Sequence, residues 1–138
     1  MKIFKLLLVL LSLSVFASSK VVLKKGGAVT AFSEEDGFKL SKKATKNLDV
    51  KFIALSKGNS WDIPKSAIVR IKNSTGVYRK YDGWITLVLV DILKKSKKTF
   101  TIKSVDLQEG DGVATSGVKF LRMTDADLNS DTVDACAH

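Results

Sequence analysis

The chain has one cysteine, one proline, one histidine and no long hydrophobic run beyond its first residues. Each scarcity removes something. With Cys136 alone, no disulfide can form within the chain, so packing must hold the fold. With His138 as the only histidine and the last residue, a histidine-based triad or relay has no member inside a folded body. No nucleophile stands in a recognisable elbow, so the chain reads as non-enzymatic. With Pro64 alone, strands can run without interruption, and Pro64 itself belongs at a strand start or on an edge. After the first twenty residues no apolar segment approaches the ~20 residues of a membrane span.

The beginning of the chain is of a different kind. Met1 to Lys5 is short and basic, Leu6 to Phe16 is apolar apart from Ser12 and Ser14, and Ala17-Ser18-Ser19 is small. That is the three-part plan of a secretory signal peptide over residues 1–19, with cleavage after Ala17 or Ser19. No cysteine follows for a lipid anchor. Export to the periplasm is expected, leaving about 120 residues, enough for one domain with a core.

Charge is uneven. Lys20 to Val105 holds 19 basic and 7 acidic residues, while Asp106 to the end holds 2 and 7. A basic body with an acidic end can signal nucleic acid, but export and the lack of interleaved aromatics argue against it. A lysine-rich solvated surface is the plain reading, and attraction to an acidic partner or an anionic membrane the sharper one.

Local patterns point to β-structure. Residues 20–37 form an ill-defined N-terminal extension with two short strand candidates around Lys24-Lys25-Gly26-Gly27. Ser41 is an N-cap opening one short helix through Leu48, with Ala44 and Leu48 on its inner face. Asp49 to Leu55 reads as a strand, Ala67 to Ile71 and Val77 to Lys80 as two more. Asp82-Gly83 is a hairpin turn. Trp84 to Leu93 is the longest candidate, apolar on both faces and therefore central. Thr99 to Val105 alternates as a half-buried strand. Gly76, Gly83, Gly110, Gly112 and Gly117 are expected to set turns. Val118, Leu121 and Arg122 suggest one helical turn or a last strand. From Thr124 the chain is acidic without an apolar period, which predicts a poorly ordered tail over 124–138. These segments imply a mainly-β fold: a small antiparallel β-barrel-like domain with one short helix.

The order of several motifs carries a resemblance. Ile63-Pro64-Lys65-Ser66-Ala67-Ile68-Val69 is followed by Gly76-Val77-Tyr78, an Asp-Gly turn and a long strand. Leu107-Gln108-Glu109-Gly110-Asp111-Gly112-Val113 then leads to Ser116-Gly117. This succession resembles the periplasmic adaptor (membrane-fusion) proteins of heavy-metal-type resistance-nodulation-division efflux pumps, in their membrane-proximal β-domain. Phe38 to Ala44 with Leu48-Asp49-Val50 is similar to the segment where such adaptors enter their β-domains. The likeness covers residues 38–123. The chain departs from complete adaptors in having no long heptad helices and no lipoyl half-motifs. Only five residues separate Leu55 from Trp61, where an adaptor inserts its hairpin arm. The resemblance implies a truncated or accessory adaptor subunit that binds an inner-membrane efflux transporter or a full-length adaptor. Lys65, Arg70, Arg79 and Lys80 are the candidate interface charges.

A soluble periplasmic metal-binding protein is the alternative. Cys136 and His138 form a Cys-x-His at the end of the chain, with Asp131 and Asp134 nearby, and thiolate with imidazole suits copper or zinc. Two ligands fall short of the three or four a stable site needs, and no cofactor is otherwise implied. Trp61 and Trp84 read as packing residues. Asp106, Glu109 and Asp111 lack the spacing of a calcium loop and read as a solvated turn. Asn73-Ser74-Thr75 fits a glycosylation sequon that a bacterial-type exported protein rarely uses.

Overall fold

Val77 and Val88 face each other across an antiparallel ladder, and Tyr78 and Leu87 do so one step along. Because strand side chains alternate, the valines go to one face of the sheet and the Tyr78–Leu87 pair to the other. The strand pair that carries them is apolar on both faces, so it needs a layer on each side. The computed structural model, which describes residues 21–22 and 27–134, supplies both layers.

The elements are β1 (Val21–Val22), β2 (Val29–Ser33), β3 (Gly37–Leu40), α1 (Lys42–Asn47), β4 (Lys51–Ala54) and β5 (Trp61–Pro64). A 3₁₀ turn (Lys65–Ala67) leads to β6 (Val69–Ile71), β7 (Ser74–Tyr81), β8 (Trp84–Leu89), β9 (Asp91–Lys95), β10 (Thr99–Lys103), β11 (Gly112–Ser116) and α2 (Val118–Asp134). The large sheet runs β1-β2-β3-β8-β7-β11-β4. β6 shares the β11 side of β7, meeting Ser74–Gly76 while β11 meets Arg79 and Lys80. The small sheet is β5-β10-β9. Among the described residues all pairings are antiparallel. Asp82 and Gly83, at φ of 48° and 79°, make the two-residue turn between β7 and β8, as the handed twist of a tight hairpin demands.

Two cores result. On one face of the large sheet, Val77, Val88 and Val113 pack against Trp61, Ile63, Phe100 and Ile102 of the small sheet. On the other, Tyr78, Ile85 and Ala114 are covered by Leu121 of α2, with Val118 and Leu128 beside it. The molecule is thus small sheet, large sheet, helix. The Tyr78 hydroxyl donates to Asp125 Oδ2 at 3.1 Å, tying α2 to β7. No helix among the described residues is long and apolar enough to cross a membrane.

The mainly-β antiparallel class expected from sequence is what the chain adopts. Its details depart from expectation at several points. The large sheet is open: β4 and β1 end it, and no ladder closes it into a barrel among the described residues. Residues 29–33, read as part of an extension, form β2 and pair with β3 inside the large sheet. The expected strand 84–93 is two strands. β8 ends at Leu89 in the large sheet, Val90 donates its N–H to the Thr75 carbonyl at 2.9 Å, and β9 begins in the small sheet at Asp91. Apolarity on both sides of the segment reflects this passage between layers. Pro64 ends β5, on the edge of the small sheet, and opens the 3₁₀ turn. Gly76 and Gly112 lie within strands and set no turn. The acidic segment after Thr124 is helical through Asp134, continuing α2. Residues 1–19, the signal-peptide expectation, lie outside the described residues, as do Cys136 and His138.

Candidate functional site

The chain builds a basic groove where α1 turns into β4. Ser41 caps α1, its hydroxyl oxygen accepting the Ala44 N–H at 3.0 Å. The other end closes in a Schellman arrangement. Asp49 sits at φ 48°, its N–H donates to the Lys46 carbonyl at 3.2 Å, and the Val50 N–H donates to the Thr45 carbonyl at 2.9 Å. Val50 is thereby driven into the core, and Lys51 begins β4. These two caps fix the helix without help from length, since six residues are too few to be stable alone.

Lys42 and Lys46, four apart, stand on one side of this helix. Lys51 and Lys80 face them across a groove of about 410 Å³ whose floor includes Leu40, Thr45 and Val50. The Lys80 ammonium lies 5.1 Å from the centroid of the Phe52 ring, which holds it over the β4 side. One carboxylate enters the groove. Asp49 pairs with Lys51 at 3.0 Å and accepts the Ser116 hydroxyl at 3.1 Å. The hydrogen bond from Lys51, then that from Ser116, holds its carboxyl below the usual aspartate value. Four lysines against one carboxylate leave a net charge of +3.

A larger groove, about 570 Å³, opens at the other end of β7, between the β6–β7 turn and the β8–β9 passage. It carries Arg70, Lys95 and Lys103 but also Asp91 and Asp106, so its charge nearly cancels. The two grooves are about 20 Å apart along β7, at ~3.4 Å per residue.

The four candidate interface charges do not gather. Lys80 lines the α1–β4 groove and Arg70 the larger one. Lys65, on the 3₁₀ turn, lies 5.3 Å from the Phe100 ring centroid. Arg79 turns inward to Asp111, with which it makes a 2.9 Å contact. Asp111, read as part of a solvated turn, is buried. Its Oδ2 accepts the Gln108 N–H at 2.9 Å, so it staples its own turn from within. Trp61 is buried with its indole N–H on the Ser56 carbonyl at 2.8 Å. Trp84 is half-buried with the Lys39 ammonium 4.8 Å from its ring centroid.

Lys42, Lys46 and Lys51 were not singled out by the sequence. Their signal was present in the i, i+4 lysine pair after the Ser41 cap, but only the Schellman turn folds β4 and Lys51 back beside α1. Among the described residues no three His, Cys, Asp or Glu side chains gather as a metal site. Comparison of the chain with protein-family models, with curated proteins and with solved structures finds no match.

Proposed function

We propose that this protein is a non-catalytic, adaptor-like docking subunit of a periplasmic efflux assembly. It binds an inner-membrane transporter or a full-length adaptor through the α1–β4 groove. The observation that carries this reading is the convergence of Lys42, Lys46, Lys51 and Lys80 around one shallow groove at the end of an otherwise well-packed β-fold. An excess of three positive charges among the described lining residues, where Asp49 is the one carboxylate, suits an acidic surface. The groove is poorly suited to proton transfer. Asp49 is held ionised by its lysine and serine partners, whereas a general acid or base works best with a pKa near the operating pH. The adaptor part of the reading is supported by the order of the Ile63–Val69, Gly76–Tyr78 and Leu107–Gly117 motifs and by the signal-like N-terminus.

Co-purification of the exported, tagged protein from crosslinked membranes tests the reading. Recovery of a transporter or full-length adaptor, reduced when Lys42 and Lys46 are both changed to Glu, is the expected result. A protein that is exported and folded but brings down neither would overturn it.

A further inference from the structure

Among the described residues β4 ends the large sheet, and its one ladder there is with β11. Leu55, just past its end, directs both backbone groups to that side. Its N–H donates to the Asp111 carbonyl at 2.8 Å, and its carbonyl accepts the Gly110 N–H at 2.9 Å. Strand alternation then turns the N–H and C=O of Phe52 and Ala54 the other way, toward the open edge. No described strand, helix or side chain bonds them. Lys51 is the one charge on β4, at its start; Phe52, Ile53 and Ala54 carry no charge or proline, Ala54 is exposed and Ile53 is 37% exposed.

The same strand borders the lysine groove. Lys51 belongs to β4, Lys80 reaches over Phe52, and Lys42 and Lys46 repel each other on the adjoining helix. Unused backbone donors and acceptors beside a net positive groove match one kind of occupant. An extended segment would satisfy the backbone of Phe52 and Ala54, and alternate carboxylates on it, about 7 Å apart, would point toward the lysines.

We propose that β4 receives an extended, acidic segment of a partner protein as an added strand. This deepens the docking reading of the groove and rests on it, but not on which protein the partner is. An anionic lipid surface would use the lysines and leave the backbone row unused, so the strand edge favours a peptide.

A fluorescein-labelled peptide alternating glutamate with valine is the probe, titrated by anisotropy onto the purified full chain. Three comparisons accompany it: the same peptide with alternate backbone N-methylation, a peptide with lysine in place of glutamate, and phosphatidylglycerol vesicles. The acidic peptide is expected to bind, and binding should fall with salt. N-methylation, or Ala54→Pro in the protein, should weaken it about tenfold, equivalent to ~1.4 kcal/mol. Ala54→Pro removes an outward N–H and leaves the β11 ladder whole, and a thermal melt checks its folding. The double variant Lys42→Glu, Lys46→Glu should weaken binding to a similar degree, and the lysine peptide should not bind.

Equal binding of the methylated and unmethylated peptides would reduce the edge to a simple charged patch and overturn the proposal. Vesicle binding without peptide binding would overturn it in favour of a membrane surface. Self-association that blocks the peptide would overturn it in favour of a second copy of this chain. Peptide binding with no efflux partner recovered would leave this proposal standing and remove the efflux reading. Undiminished partner recovery with Ala54→Pro would do the reverse.

Discussion

Arg79 Nε stands 2.9 Å from Asp111 Oδ2, on a carboxylate that is only 1% exposed. The contact is close, yet the Nε–H does not point along it and Asp111 Oδ1 accepts no hydrogen bond. It is an ion pair held by position, joining β7 to the turn before β11. Asp111→Ala would strand the half-buried guanidinium and free the Gln108 amide. The loss should be about 3 kcal/mol, at the low end for a broken buried pair because Arg79 retains 21% exposure. Urea unfolding measures it. Replacing both partners, Arg79→Met with Asp111→Leu, should recover much of the loss, and a double variant no better than the single would contradict this account.

Tyr78 gives the protein an alkaline limit. Burial chiefly, and then the Asp125 carboxylate, push its phenol well above the ordinary value near 10. A raised folded-state pKa means that the native protein keeps a proton the unfolded chain releases. The stability contributed is complete below about pH 10 and is lost as pH rises toward the folded value. Denaturant midpoints should therefore fall more steeply above pH 10 in the wild type than in Tyr78→Phe. At pH 7 the same substitution should cost about 1 kcal/mol through the lost hydrogen bond to Asp125.

Leu121 projects from α2 onto the large sheet and is fully buried. Leu121→Ala should destabilise by ~2–5 kcal/mol, the range for a large core truncation. If α2 did not pack on the large sheet, the change would be silent. Limited proteolysis offers a second check: α2 should be protected in the wild type and cut early in the variant.

Gly37 and Gly110 both have positive φ, 90° and 86°, but different surroundings. A Cβ on Gly37 would be driven into the Ile85 carbonyl, whereas one on Gly110 meets nothing within 4 Å. Gly110→Ala should cost about 1–2 kcal/mol, the backbone term alone. Gly37→Ala should cost clearly more, because β3 could no longer lie against β8. Comparable thermal shifts for the two would show that the close approach is unimportant.

Much of the β-structure was legible because it is local. The Ser41 cap, the Asp82-Gly83 turn and the alternation from Thr99 through Lys103 each announce themselves within a few residues. α2 showed only as one helical turn or a last strand at Val118–Arg122, and its length did not show, for a specific reason. Val118, Leu121 and Leu128 follow a helical spacing, but the position that should complete the stripe is Asp125. A carboxylate there breaks the pattern: its Oδ1 accepts from Asn129 one turn on within α2, and its Oδ2 finds a partner in the sheet only through the Tyr78 hydroxyl, 47 residues earlier. The pairing of Arg79 was hidden for the same kind of reason: its counter-charge lies on a different element.

What the sequence determined by itself was the class of the fold, the short capped helix α1 and the scarcity of histidine and cysteine. Propensity, alternation and turn chemistry act over a few residues and survive without the rest of the molecule. Tertiary structure alone decided that Val90 passes the chain between sheets, that Asp111 and Asp125 are internal partners, and that Lys42, Lys46, Lys51 and Lys80 share one groove beside an open edge. Each of those outcomes is a contact between distant segments, and charge and backbone hydrogen bonds take their meaning from what packing brings near them.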